Sequence, residues 1–276
     1  MPRGTCKLCH KDAELQLSHL IGRAVYKLCR KDQGDDSIVM TTKVVMKTSR
    51  QIRDYVLCAK CEDRFNKGGE RYATSLVSRL RKGFPLLDKL RLALPMQGGP
   101  DYHVFSGERV GVDTDKLAYY ALSVVWRSGI HHWKSVENQT TSVVLATTEE
   151  EAIRKYLLGE TALPGNIGVM VNVCTDLASQ ALVLTPTSRA FPPSGLIYKL
   201  LVRGIDFWVL LSSSPNIQFV EMCCVRSPAK KIFLRDCSQL TLNAVKHFYE
   251  GSKWARNARL GGAGRKPGNS RKVGER

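Results

Sequence analysis

Two Cys-x-x-Cys pairs constrain this chain more than any other feature of its sequence. They are Cys6-Lys7-Leu8-Cys9 and Cys58-Ala59-Lys60-Cys61. Two such pairs supply the four thiolates of a tetrahedral structural zinc site, so we predict Zn²⁺ bound by Cys6, Cys9, Cys58 and Cys61. The N-terminus leads into the first pair without the apolar segment of a secretion signal, so we expect reduced thiols and a cytoplasmic location. Buried free thiols and a redox pair are the alternatives.

Length and composition allow a substantial core. The chain has 276 residues, of which 43% are hydrophobic, enough for one large domain or two ordinary ones. Nine cysteines are too few for a disulfide scaffold. The most apolar stretch, residues 196–211, is interrupted by Lys199, Arg203 and Asp206, so we expect no membrane span.

Charge is distributed unevenly along the chain. Residues 1–92 carry 20 Lys and Arg against 10 Asp and Glu, residues 93–251 carry 14 of each, and residues 252–276 carry 8 against 1. We predict a basic zinc module over 1–92, an α+β domain of unknown role over 93–251, and a disordered basic tail over 252–276. Segregated positive charge favours a nucleic-acid partner, most simply DNA, with solubility alone as the alternative. Nothing here indicates an oligomeric state.

Periodicity predicts a mixed fold. Several strand-like runs between residues 167 and 225 predict a mainly antiparallel sheet, with a tight hairpin at Arg203-Gly204. Asp113 is placed to cap one helix, the Thr147-x-x-Glu150 pattern predicts a capping box for another, and residues 240–249 predict a last helix. The Pro- and Gly-containing residues 85–100 predict a loop. The fold class is therefore α+β.

The N-terminal motifs resemble a known class of enzymes. A Cys-x-x-Cys pair, a strand ending in Ser18-His19, a long excursion, and Leu57-Cys58-Ala59-Lys60-Cys61 followed by a polar helix start resemble the HNH nucleases, also called ββα-metal or His-Me finger nucleases. The resemblance covers about residues 1–75. It implies a treble-clef/ββα-metal module whose four cysteines bind structural zinc.

The resemblance also implies a chemistry. His19 matches the family's general base, which takes a proton from the water that attacks a DNA phosphodiester. Asn66, with Glu62 and Glu70 as alternatives, would hold a catalytic Mg²⁺ or other divalent cation. Ser18 departs from the family, which has Asp, Glu or His there. The predicted function is a metal-dependent DNA endonuclease, with bacterial defence as the context that the resemblance suggests; the alternative is a catalytically inactive zinc module that binds nucleic acid or protein.

A second cluster, His131-His132-Trp133, has two interpretations. Its aromatic rings could stack on a base, or they could belong to the core or to an interface, which is the commoner role at a helix end.

Overall fold

A central helix, α5 (Thr114–Ile130), lies between the N-terminal region and a large sheet. The computed structural model of the chain describes residues 1–33, 37–40, 45–48, 50–79, 82–135, 140–190 and 195–251. The predicted tail, 252–276, lies outside the described residues. In the part of the chain that is described, no helix is long and apolar enough to cross a membrane.

The N-terminal region forms a small sheet followed by a helix. Strands β1 (Arg3–Thr5), β2 (Asp12–His19) and β5 (Arg53–Cys58) pair antiparallel in the order β1-β2-β5. Between β2 and β5 lie α1 (Arg23–Gln33) and the hairpin of β3 (Ser37–Met40) and β4 (Val45–Thr48). After β5 the chain continues through α2 (Ala59–Phe65), a π-helical turn (Asn66–Glu70) and α3 (Arg71–Leu76). The spacing of Tyr72, Leu76 and Leu80 in the sequence predicts one helix that continues to Lys82, but the helix ends at Leu76, where Val77 becomes extended.

The larger sheet has seven strands in the order β11-β12-β13-β10-β14-β7-β6. β10 and β14 are parallel and the other neighbours are antiparallel, which confirms a mixed α+β fold with an antiparallel sheet. The strands are β6 (Gln97–Gly98), β7 (Tyr102–Ser106), β10 (Ile167–Cys174), β11 (Val183–Ala190), β12 (Gly195–Val202), β13 (Ile205–Ser212) and β14 (Lys231–Arg235). A separate short pair joins β8 (Trp133–Lys134) to β9 (Thr140–Thr141).

In the described part of the chain, six further helices accompany this sheet: α4 (Pro85–Arg91), α5 (Thr114–Ile130), α6 (Thr147–Leu158), α7 (Leu177–Ala181), α8 (Ile217–Met222) and α9 (Ser238–Gly251). The predicted cap of α5 is confirmed, because the Asp113 side chain accepts a hydrogen bond from the Lys116 N–H. The predicted hairpin is also confirmed: Val202 pairs with Ile205, and Arg203 and Gly204 both have positive φ, as a tight two-residue turn requires.

Three local predictions were wrong. The run at 217–225 begins with helix α8, whose first turn is capped by the Asn216 side chain. Residues 85–100 contain α4, because Pro85 occupies the first helical turn, where a missing N–H costs nothing. The capping box does not form: Thr147 is already helical, and the N-cap Ala146 has no side-chain cap.

Helix α5 joins the two regions through one core. Leu57 and Phe65 from the N-terminal region belong to the same buried cluster as Trp126 of α5 and Val171 of the large sheet. Close approach is possible where the π-helical turn has Gly68-Gly69, since a Cβ on Gly69 would lie 2.4 Å from the Lys116 carbonyl oxygen. The predicted boundary at residue 92 stays a prediction, and the packing across it is continuous.

Candidate metal centre and active site

The four predicted cysteine ligands converge. Cys6 and Cys9 lie in the turn between β1 and β2, whereas Cys58 and Cys61 lie at the junction of β5 and α2. Their Sγ atoms all lie within 4.8 Å of one another, and the Sγ atoms of Cys9 and Cys58 are 3.9 Å apart. Tetrahedral zinc with Zn–S bonds of about 2.3 Å requires sulfur atoms separated by roughly 3.8 Å. This cluster could therefore bind a metal such as Zn²⁺.

Hydrogen bonds around the cysteines lower the pKa of one thiol and close the turn that carries Cys6 and Cys9. Cys6 Sγ accepts the Cys58 N–H at 3.3 Å, and a hydrogen bond from the Cys61 thiol lowers the pKa of Cys6 to about 4. Burial raises the pKa of Cys9. The turn is closed by hydrogen bonds from the Cys6 N–H to the Lys11 carbonyl and from the His10 N–H to the Cys6 carbonyl. The hydrogen bonds to Cys6 favour its thiolate, and a bound metal would favour the thiolate form of all four cysteines.

His19 ends strand β2 with its ring half-buried. Its Nε2 lies 2.7 Å from Gln51 Oε1. Because an amide oxygen only accepts, Nε2 carries the proton in the neutral ring and Nδ1 is left as a basic nitrogen. Burial is the main cause that lowers the pKa of His19 below 6.5, opposed by the Gln51 hydrogen bond and by the charge of Glu70. The ring is therefore neutral at pH 7.

Ser18 and Glu62 face the interior of the N-terminal region. Ser18 is fully buried, and its Oγ accepts the Leu57 N–H at 3.2 Å. The Ser18 hydroxyl donates to the Gln16 carbonyl oxygen at 3.4 Å. Burial is the largest cause that raises the pKa of Glu62, and the charge of Arg127 opposes it. The Oε1 atom of Glu62 is buried without a hydrogen-bond partner. No donor among the described residues reaches this oxygen.

Glu70 is bound by an arginine from the central helix. Arg127 of α5 is 1% exposed, and its Nη2 lies 3.4 Å from Glu70 Oε2. Its Nη1 donates to the His19 carbonyl oxygen at 2.6 Å, and its Nε donates to the Ser123 carbonyl oxygen at 3.3 Å. The guanidinium carbon lies 5.3 Å from the ring centroid of Phe65. Arg127 thus fixes the backbone at His19 and neutralises Glu70.

The predicted oxygen ligands do not form one compact group with His19. Across the described residues, two groups of three or more His, Cys, Asp or Glu side chains have all their ligand atoms within 4.8 Å, and neither contains His19, Glu62 or Glu70. Asn66 begins the π-helical turn and is half-buried. The structure thus places the four residues along β2 and one face of the helix that follows β5.

The second compact group contains Cys174, Asp176 and Cys237. Both oxygens of Asp176 already accept backbone N–H groups, from Ser179 at 2.7 Å and from Cys237 at 3.1 Å. Asp176 therefore serves as the N-cap of α7. The two cysteines are buried core residues.

Two residues that contact the predicted site residues were not predicted from the sequence. Gln51 was not recognised as the partner of His19, and Arg127 was not recognised as the partner of Glu70. For Arg127 a signal existed, since it is a single charge in the otherwise apolar second half of α5. Trp133 is fully buried and donates its Nε1–H to the Arg127 carbonyl oxygen at 2.7 Å, so it belongs to the core beside this arginine. The His131 ring lies 5.1 Å from the Trp133 ring, and its Nε2 is 2.9 Å from Asp54 Oδ2.

The chain matches no protein-family model, no curated protein and no solved structure in the comparisons made with each.

Proposed function

We propose that residues 1–75 form a ββα-metal module and that the protein is a metal-dependent endonuclease acting on DNA. In support, β2 and β5 pair antiparallel, α2 follows β5 directly and contacts both strands, and the four cysteines meet where the strands join the helix. We assign structural Zn²⁺ to Cys6, Cys9, Cys58 and Cys61. Thiolate ligands need a reducing compartment, which favours the cytoplasm.

The observation that carries this proposal is the state of His19. A general base at neutral pH must be unprotonated and must present one free nitrogen in a fixed orientation. Burial keeps the imidazole neutral, and Gln51 Oε1 fixes the tautomer with the proton on Nε2. Nδ1 then takes a proton from a water molecule, and the resulting hydroxide attacks the phosphorus. Arg127 holds the His19 carbonyl and so maintains the position of the ring.

A divalent cation such as Mg²⁺ would supply charge stabilisation at the leaving oxygen. Glu62 fits this role, since its Oε1 is a buried acceptor without a donor. Asn66 lies one helical turn further along and offers an amide oxygen. Glu70 is committed to Arg127, which leaves Glu62 and Asn66 as the residues that would hold the cation.

Plasmid nicking tests the assignment. The full chain, with its zinc content measured, should nick supercoiled DNA in Mg²⁺, and His19→Ala should lose at least about 10²-fold of that rate. His10→Ala is the matched control, because His10 is an exposed histidine beside the same cluster. Equal rates for His19→Ala and the parent would show that His19 is not the base.

The second candidate is a zinc module that binds nucleic acid or protein without cleaving. Two observations favour it: Ser18 is turned inward onto Leu57 N–H, and the charge of Glu70 is neutralised by Arg127. This candidate predicts DNA binding that weakens steeply with salt while no divalent cation supports nicking. Nicking that depends on His19 would eliminate it.

A further inference from the structure

The large sheet carries a charged cluster on the face turned away from α5. Along β13, Ile205, Phe207 and Val209 belong to the main core, so the alternate residues Asp206 and Trp208 point to the opposite face. Register adds neighbours on that face: Lys199 of β12 lies opposite Trp208, and Arg235 of β14 lies in register with Cys174 of β10. Arg189 of β11 lies in register with Ile197 of β12 and adds a further cation. We call these five residues the Trp208 cluster: Lys199, Asp206, Trp208, Arg235 and Arg189.

Two cations lie against one indole ring. Lys199 Nζ is 3.6 Å and Arg235 Cζ is 4.6 Å from the centroid of Trp208. The Trp208 Nε1–H donates to Asp206 Oδ2 at 2.6 Å, and Arg235 Nη2 lies 3.7 Å from the same oxygen. Lys199, Asp206, Trp208 and Arg235 are half-buried and Arg189 is exposed, so the cluster is partly open to solvent.

Positive charge is in excess here. Lys199, Arg235 and Arg189 act electrostatically on Asp206, which is a single carboxylate set against three cations. Burial, reinforced by repulsion from Arg189 and Arg235, lowers the pKa of Lys199 to about 8. Within the described residues, the buried Nε of Arg235 has no hydrogen-bond partner, and its Nη2 reaches the Asp206 carboxylate only at 3.7 Å, beyond hydrogen-bonding distance. A buried guanidinium N–H without an acceptor is costly, so the cluster lacks an anion rather than a cation.

We propose that the Trp208 cluster is a binding site for a phosphate group, carried by a free phosphate compound or by a nucleic-acid end. A phosphate would accept the N–H groups of Arg235 and the ammonium of Lys199, and its charge of about −1.5 to −2 matches the excess of the cluster. The planar fork of arginine suits tetrahedral oxyanions. A purely structural stack of cations on Trp208 explains the ring contacts but leaves the Nε–H of Arg235 without an acceptor and its Nη2 without a hydrogen bond. This inference does not depend on the proposed nuclease activity.

Calorimetric titration of the full chain tests the site, with pyrophosphate and a 5′-phosphorylated single-stranded oligonucleotide as probes. We expect saturable binding of at least one probe, and the probe that binds identifies the source of the phosphate. Arg235→Gln and Lys199→Gln should each weaken that binding about tenfold, the effect of losing one charge-assisted hydrogen bond. Lys231→Gln is the control, because Lys231 lies on the same strand and face but is paired with Glu221.

Two outcomes would overturn the proposal. One is no saturable binding of either probe at millimolar concentration. The other is that Arg235→Gln and Lys199→Gln both bind the probe with the same affinity as Lys231→Gln. Thermal melts establish that each variant is folded, and Lys199→Gln decides the matter if Arg235→Gln does not fold. His19→Ala should keep the parent affinity, which separates a failure of this site from a failure of the nuclease assignment.

Discussion

Replacing Arg127 by methionine should destabilise the whole protein, since this side chain joins the N-terminal region to the central helix. The substitution removes the ion pair with Glu70 and the donors to the carbonyl oxygens of His19 and Ser123. Methionine keeps most of the side-chain volume, so the loss is mainly electrostatic.

The magnitude follows from burial. Arg127 is 1% and Glu70 is 18% exposed, so solvent screens the pair poorly. Removing one partner of a buried ion pair costs about 3–5 kcal/mol, because the other charge is left unpaired. Typical domains have stabilities of about 5–15 kcal/mol, so this loss is a large part of the total.

A double-mutant cycle separates the pair from the packing. The free energy of unfolding is measured by urea denaturation for Arg127→Met, Glu70→Gln and the double variant. The double variant should recover part of the loss, giving a coupling of about 1–3 kcal/mol. Arg154→Met is the control, because Arg154 also crosses between regions by donating to the Leu8 carbonyl at 2.7 Å, but its ionic partner Glu151 is 42% exposed.

The control should lose only about 1 kcal/mol, since its ion pair is screened by solvent. A loss below about 1 kcal/mol for Arg127→Met would contradict the reasoning, because a buried unpaired carboxylate cannot be that cheap. A coupling of zero would show that the cost arises from packing alone.

Three further predictions follow from the described geometry. Cys58→Ser should reduce the metal content from about one zinc per chain, as measured by atomic absorption; unchanged stoichiometry would exclude Cys58 as a ligand. The pKa of His19 lies below 6.5 in the folded chain, so protonation of His19 opposes folding. Both the nicking rate and the contribution of His19 to the free energy of unfolding should therefore fall as pH drops below 6.5 and stay constant above pH 7. NMR titration of the His19 ring would check this. Gly69→Ala should lose about 1–3 kcal/mol in denaturation experiments, because its Cβ would meet the Lys116 carbonyl at 2.4 Å, whereas Gly165→Ala, with nothing within 4 Å, should lose far less; equal losses would refute the close helix contact.

Local signals predicted local structure well. The strand at 167–174, the turn at Arg203-Gly204 and the cap at Asp113 each depend on residues close together in sequence, and each is confirmed. Helix α8 was missed because six residues are too few to display a helical period, and the informative residue was the cap Asn216 before it.

The candidate site was predictable only in part. Cysteine spacing is a chemical signal in itself, so convergence of the four thiols could be expected. The partnership of Glu70 with Arg127 spans 57 positions and depends on how α5 crosses the π-helical turn, which no local pattern encodes. The Trp208 cluster likewise draws its members from four strands, and only the register brings them together.

The continuous core across residue 92 has a consequence for the abundance of this protein. Since Phe65 and Trp126 pack against each other, the N-terminal region cannot unfold without exposing the central helix α5 to solvent. Under the proposed metal assignment, binding free energy at the four thiolates is therefore shared by the large sheet. Without zinc the whole chain would then unfold more often and be open to proteases, so the zinc supply would set the protein's lifetime in the cell.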